Sequence, residues 1–289
     1  MSEHSVVIAG LPSSGKTTFL AALWHLITAR DVKFTTALKF GRLGQGDTHH
    51  LNVIAARWRD AKVQDRTATG GNRIVSMNLI DKLQRSIRVT FPDTAGEAYA
   101  KMWEDRECDQ AIADTLKSGN VMLFVHSDTI QSPMWVVDEV ALSKRMGVQL
   151  SDRGVVDWHP RLAPTQVQIV DLLQMLASPS FDIGPRRIAI MLSAWDKAEP
   201  EGLSPDAFLN AKLPLLAQFL RQNATYWTHR VYGVSAQGGE YDAIDAEPQP
   251  TTEAAELRKL NQPAARIRVV EEAGQTHDLT EPLVWLTGE

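Results

Sequence analysis

Val6-Val7-Ile8-Ala9-Gly10-Leu11-Pro12-Ser13-Ser14-Gly15-Lys16-Thr17-Thr18-Phe19-Leu20-Ala21-Ala22-Leu23-Trp24 reads as a buried strand, a glycine loop and a helix, and that order decides the fold. The first four residues form an apolar run of strand length, and Thr18 to Ile27 place apolar side chains at helical spacing. Between them, Gly10 to Thr17 satisfies G-x-x-x-x-G-K-[ST] at each fixed position, in the context that turns a string match into a predicted site. The two glycines let the backbone curl its N–H groups around a β-phosphate, so Gly10, Ser13, Ser14, Gly15 and Thr18 are predicted to line a nucleoside triphosphate. Lys16 is expected to bridge β- and γ-phosphate oxygens, and Thr17 to offer its hydroxyl to Mg2+. The competing reading is a glycine turn ahead of an ordinary helix; the flanking strand and helix weigh against it.

Outward from this stretch, strands alternate with helices, the pattern of an α/β sheet covered on both faces. Extended segments are predicted at 73–80, 86–91, 121–126, 187–193 and 230–234. Helices are predicted near 50–63, 109–117, 164–176 and 205–222. The tail, Asp278 to Leu286, reads as a short helix capped by Asp278 or Thr280, placed to close the fold against the base-binding edge. There is no internal repeat and no low-complexity tract.

Composition excludes several function classes. The 289-residue chain carries a formal net charge of -5, which gives no basic footprint for nucleic acid or anionic lipid. No run is apolar enough to span a bilayer, and Met1-Ser2-Glu3-His4 leads straight into the first strand without room for a signal peptide. The single Cys108 excludes a disulfide framework or a multi-cysteine zinc site, so a reducing cytoplasm is the expected location. His49-His50 has no carboxylate or thiol framework around it and is expected to be a solvated loop.

Asp93-Thr94-Ala95-Gly96 is the second chemical signal. A carboxylate at the end of a strand adjoining the glycine loop can hold the Mg2+ water shell, and Gly96 can offer its N–H to the γ-phosphate. Together with the loop, these residues resemble the translation-factor and Ras-like (TRAFAC) P-loop GTPases. The resemblance implies a three-layer α/β domain with a mostly parallel central sheet wrapped by helices, plus insertions at about 31–64, 128–163 and 238–276. It also implies GTP or GDP as ligand.

Ser193-Ala194-Trp195-Asp196 stands where that class usually carries N-K-x-D, so Asp196 would accept from guanine. The usual Asn and Lys are absent, leaving Trp195 or Lys197 to stack on the base. Val234-Ser235-Ala236-Gln237 resembles the S-A-K loop whose backbone meets guanine O6. An acidic acceptor suits guanine's donors and repels adenine's ring lone pair, which favours guanine over adenine.

The layout, with Trp-Asp-Lys and large insertions, resembles the bacterial double-GTPase-type proteins of conflict and defence loci. That resemblance implies partner proteins, either activators or effectors. For hydrolysis, Glu97 occupies the position that usually holds a water-orienting Gln. Arg66-Thr67-Ala68-Thr69 resembles the first switch of heterotrimeric G-protein α subunits, with Arg66 as an arginine finger in cis and Thr69, or Thr67, as the magnesium-binding residue. A solvated polar turn is the plainer reading of the same stretch.

Three function classes follow: a GTP-hydrolysing switch, an ATP-dependent kinase or ATPase on the same loop, and a nucleotide-binding scaffold without turnover. A kinase needs clustered arginines for a substrate phosphate, and Arg186-Arg187, the tight pair, sits at a strand entrance. Most of the eight tryptophans are expected in the core.

Overall fold

The computed structural model describes residues 4–29, 34–64, 73–93, 97–133, 136–147, 157–242 and 252–288. In chain order the elements are β1 (His4–Gly10), α1 (Lys16–Thr28), β2 (Lys39–Gln45), α2 (Thr48–Arg59), β3 (Arg73–Ile80), β4 (Ser86–Asp93), α3 (Glu97–Glu104), α4 (Gln110–Leu116) and β5 (Asn120–His126). They continue with α5 (Val136–Met146), α6 (Thr165–Leu176), β6 (Arg186–Ser193), α7 (Trp195–Ala198), α8 (Pro205–Lys212), α9 (Pro214–Gln222) and β7 (Trp227–Ser235). Last come α10 (Thr252–Arg258), β8 (Arg268–Glu271), β9 (Gly274–Thr276) and α11 (Glu281–Leu286).

Among the described residues the strands form one nine-stranded sheet in the order β2-β3-β4-β1-β5-β6-β7-β8-β9. Its centre is parallel: β1 lies between β4 and β5, and β6 and β7 follow in parallel. Both flanks are antiparallel, through β2-β3-β4 on one side and β7-β8-β9 on the other. The central strands are buried on both faces and read as continuous apolar runs, as a sheet covered by helices requires.

One apolar layer packs α1, α2 and α11 on the sheet; Phe19 of α1 meets Phe91 and Phe124 with ring centroids 6.4 and 5.0 Å apart. The opposite layer carries α4, α6, α8 and α9, with Trp195 and Trp227 inside it. This is the three-layer α/β domain that the resemblance implies, with a parallel centre of four pairings extended by four antiparallel ones.

Several local expectations change. The predicted 205–222 helix is two helices, because Pro214 has no N–H and starts α9 at its first turn. His49 and His50 open α2, capped by the Asp47 carboxylate, which accepts the His49 N–H at 2.8 Å; they are not in a loop. The regions expected to be insertions contain β2, β8 and β9, three strands that periodicity did not mark. The tail helix α11 does form, but Asn120 and Arg187, at the entry ends of β5 and β6, donate to the carbonyls of Leu286 and Trp285 (2.6 and 2.8 Å). It therefore closes the sheet at the start of β5 and β6, opposite the edge that the sequence expects to bind the base.

Candidate nucleotide site

The strand-to-helix turn after β1 holds Gly10 at φ 149° and Gly15 at φ 88°, both in territory that favours glycine. Space is equally restrictive. A Cβ on Gly10 would lie 2.6 Å from the Phe124 carbonyl oxygen, and one on Gly15 would lie 2.9 Å from Ser193 Oγ. Ser13 also adopts a left-handed conformation, at φ 58°, and is exposed, whereas Ser14 is buried. Lys16 and Thr17 begin α1, so the loop aims helix N–H groups at one point in space. The Lys16 ammonium donates to the carbonyls of Gly10 and Leu11, both at 2.8 Å, and to Ser14 Oγ at 3.2 Å. Thr17 and Thr18 are half-buried on the first turn.

Tyr99 of α3 supports this loop from below, a role that sequence spacing did not reveal. Its hydroxyl donates to the Ile8 carbonyl at 3.2 Å, and Lys16 Nζ stands 5.5 Å from the ring centroid. Burial pushes the phenol pKa well above its ordinary value.

The segments expected to read the base converge with the loop. β6 runs beside β5 with His126 paired to Ser193, so both strands end on the phosphate side. Ser193 Oγ donates to the Ser14 carbonyl at 2.9 Å, tying the base side to the phosphate loop. Ser127, another residue the sequence reading missed, donates its hydroxyl to the carbonyls of Ser193 and Ala194 at 2.7 and 2.9 Å. Ala194 is thereby turned to φ 53°, ψ 41°, and α7 starts immediately after it.

Asp196, in the first turn of α7, accepts from Ser235 Oγ at 2.6 Å, and Ser235 Oγ in turn accepts the Gly238 N–H at 3.2 Å. Asp196, Ser235 and Ala236 thus form one edge. Lys197 lies beside it, exposed, with its ammonium 2.9 Å from Glu240; that hydrogen bond raises its pKa. Trp195 is displaced from the role expected of it. It is buried and lies against Gly233, where an added Cβ would come within 2.4 Å of the indole, and it meets Phe208 edge-on at 5.5 Å. It is core, and base stacking does not fall to it.

The half-buried His126 ring lies near this edge. Burial pulls its pKa below the ordinary value, and the charges of Asp128 and Asp196 oppose that shift.

Asp93 ends β4 beside the loop. Val7 pairs with Thr90, three residues before β4 ends at Asp93. Glu97 opens α3. The side chains of Asp93 and Glu97 lie outside the described residues, as do Arg66, Thr67, Thr69 and Gly96. No group of three or more His, Cys, Asp or Glu capable of holding a metal occurs among the described residues. Of the residues expected to hold Mg2+, Thr17 is the one whose side chain is described, and a lone hydroxyl suits Mg2+, which keeps most of its ligands as water and phosphate oxygens.

A phosphate loop heading the central strand of a parallel sheet, with an acidic residue and a Ser-Ala turn on the strands beyond it, defines a P-loop GTPase domain. A family model described as Double-GTPase 1 matches residues 7–286, and the chain belongs to that family. Comparison with curated proteins finds no match.

Among solved structures, the chain is similar to the bacterial selenocysteine-specific elongation factor EF-Sec at 12% identity, covering 82% of this chain and 27% of the factor, with a TM-score of 0.34. It is similar to Aquifex aeolicus Era bound to GDP and AlF4- at 13% identity, covering 87% of this chain and 62% of Era, with a TM-score of 0.37. It is similar to the signal recognition particle receptor SRb-GTP/SRX complex from Chaetomium thermophilum at 13% identity, covering 86% and 94%, with a TM-score of 0.40. No helix among the described residues is long and apolar enough to cross a membrane.

Proposed function

We propose that this chain is a guanine-nucleotide switch that binds and hydrolyses GTP and works with partner proteins in a bacterial conflict or defence system. The observation that supports the nucleotide assignment is a pair of hydrogen bonds around the end of β6, Ser193 Oγ to the Ser14 carbonyl of the glycine loop and, three residues further along the chain, Ser235 Oγ to the Asp196 carboxylate. Family membership supports GTP, and the partner-dependent defence role rests on the likeness to double-GTPase proteins of such loci.

On binding, the Lys16 ammonium exchanges its Gly10 and Leu11 carbonyl partners for β- and γ-phosphate oxygens. Loop N–H groups from Ser13 to Thr18 surround the β-phosphate. Asp196 accepts from the guanine ring N–H and exocyclic amine, and the Ala236 N–H meets O6. Thr17, Asp93 and Thr69 or Thr67 would hold Mg2+, which neutralises charge developing on the phosphates. Gly96 and the switch threonine hold their loops only while the γ-phosphate is present, so hydrolysis releases them. Arg66 serves as a finger on the developing charge, and Glu97 orients the attacking water.

A kinase reading finds little support. Arg186 is buried with its guanidinium given to the carbonyls of Leu116 and Phe181, so the arginine pair is a structural tie.

Competition titration with GTP and ATP tests the base assignment. GTP is expected to bind at least tenfold tighter, about 1.4 kcal/mol, and Asp196→Ala to erase the difference. Phosphate release in single turnover tests catalysis: Arg66→Ala is expected to slow it about a hundredfold with GTP affinity nearly unchanged. Tight ATP binding by the native chain would sink the guanine assignment. A native rate in Arg66→Ala would move the finger to a partner.

A further inference from the structure

The inserted helix α2 ends directly behind the base-reading turn. Trp58, fully buried, donates its indole N–H to the Ala236 carbonyl at 2.8 Å. The Arg266 guanidinium lies over the Trp58 ring, 3.9 Å from its centroid, and Arg266 Nη2 also donates to the Trp58 carbonyl. Arg266 comes from the third of the segments expected to be insertions, after α10, and its Cβ sits where a Cβ on Gly238 would approach to 2.6 Å. The same guanidinium is 5.4 Å from the Tyr241 ring, whose hydroxyl donates to the Gln237 carbonyl at 3.3 Å. The Ala236 and Gln237 carbonyls are thus held by Trp58 and Tyr241, residues of two segments expected to be insertions.

Fixing the Ala236 carbonyl and the Gln237 carbonyl fixes the orientation of the turn, and a backbone donor that reads a base must be aimed within a few tenths of an ångström to discriminate. We infer that Trp58 and Arg266 are positioning residues for guanine recognition, holding the Ser235–Gly238 turn so that the Ala236 N–H meets the base oxygen. The inference rests on the base assignment proposed above. It adds that the two insertions set the specificity of the site; on the simpler view they only fill the layer around it. Arg266 keeps Nε and Nη1 without hydrogen-bond partners among the described residues although it is 5% exposed. A group kept at that cost, where an apolar side chain would pack more cheaply, suits a role in geometry better than one in stability.

The test is an analogue cycle by calorimetry in Mg2+, using GDP and 2-aminopurine riboside 5′-diphosphate, which lacks both O6 and the N1–H. Trp58→Phe keeps an aromatic ring and removes the N–H. It is expected to weaken GDP about tenfold and leave the analogue within twofold, so that the native preference for GDP shrinks about tenfold while the part owed to Asp196 and the N1–H remains. Arg266→Met, with similar length and no charge, is expected to give the same selective loss at smaller size, and serves if Trp58→Phe does not fold. Equal losses for both nucleotides, or no loss for either, overturn the positioning role. A native chain that binds the two diphosphates equally overturns the base assignment itself, before any variant is considered.

Discussion

Ser193 is a small substitute at a position where an asparagine is usual, yet its hydroxyl joins the end of β6 to the Ser14 carbonyl. Removing that buried hydrogen bond costs about 1 kcal/mol, so Ser193→Ala is expected to weaken GDP about fivefold in a calorimetric titration, with little change in the GDP-to-GTP ratio. An unchanged affinity would mean that the loop holds itself. His126 gives a second residue-scale expectation. Its folded pKa is below the unfolded value of about 6.5 because burial disfavours the charged ring. The neutral form is therefore the one the fold favours. Its contribution is complete above about pH 6.5 and is lost as the pH falls from there through the folded value. Proton NMR should find the ring titrating below the free value, and Asp196→Ala should lower it further by removing a charge that opposes the shift; a rise would contradict the contact. The glycine spacing made Gly10, Gly15 and Lys16 legible in the sequence, since few other arrangements need those residues together. Trp195 was misread because a tryptophan beside an aspartate looks the same whether its ring faces a base or a neighbouring strand, and Gly233, which makes room for it, lies far away in the chain.

At the scale of elements, the segment ahead of β2 is tied to the tail. The Asp278 carboxylate accepts the Ala37 N–H at 2.6 Å and both the N–H and hydroxyl of Thr280, at 2.8 and 2.6 Å, while Thr280 Oγ1 accepts the Leu38 N–H at 3.1 Å. Asp278 is buried, so Asp278→Ala leaves backbone donors without partners and is expected to cost about 1–3 kcal/mol in urea denaturation; a loss under 0.5 kcal/mol would contradict it. The sequence marked Asp278 and Thr280 as alternative caps of α11. Thr280 takes the N-cap position without a side-chain cap bond, and the two side chains bind Ala37 and Leu38, 241 and 242 residues upstream, which no local pattern encodes. β2, β8 and β9 escaped notice for a related reason. Their sequences, Lys39-Phe40-Gly41-Arg42-Leu43-Gly44-Gln45, Arg268-Val269-Val270-Glu271 and Gly274-Gln275-Thr276, are short, polar or glycine-containing, and become strands only because a sheet edge is there to pair with. By contrast β1, β5 and β6 are buried on both faces and their apolar runs announced them.

On the whole molecule, the site draws on both ends of the chain, from Gly10 to Arg266, so nucleotide binding couples to global unfolding. GDP at a hundred times its dissociation constant is expected to add about 2.7 kcal/mol to the unfolding free energy, raising Tm by several degrees; ATP at the same concentration should add much less. Equal shifts by both nucleotides would contradict guanine selectivity. The arrangement of strand pairings also carries a consequence in time. The antiparallel flank closes locally, with Ile80 opposite Ser86 across the β3–β4 turn and the Asp81 carboxylate accepting the Leu83 and Arg85 N–H groups. The parallel centre does not: β1 must find Val89 and Asn120 across long intervening chain before its loop has walls. Long closures are slow to form. In pulsed hydrogen exchange during refolding, β3 and β4 amides should gain protection early, and capture of a fluorescent guanine nucleotide should lag behind them, because the pocket is assembled where the slowest pairings meet.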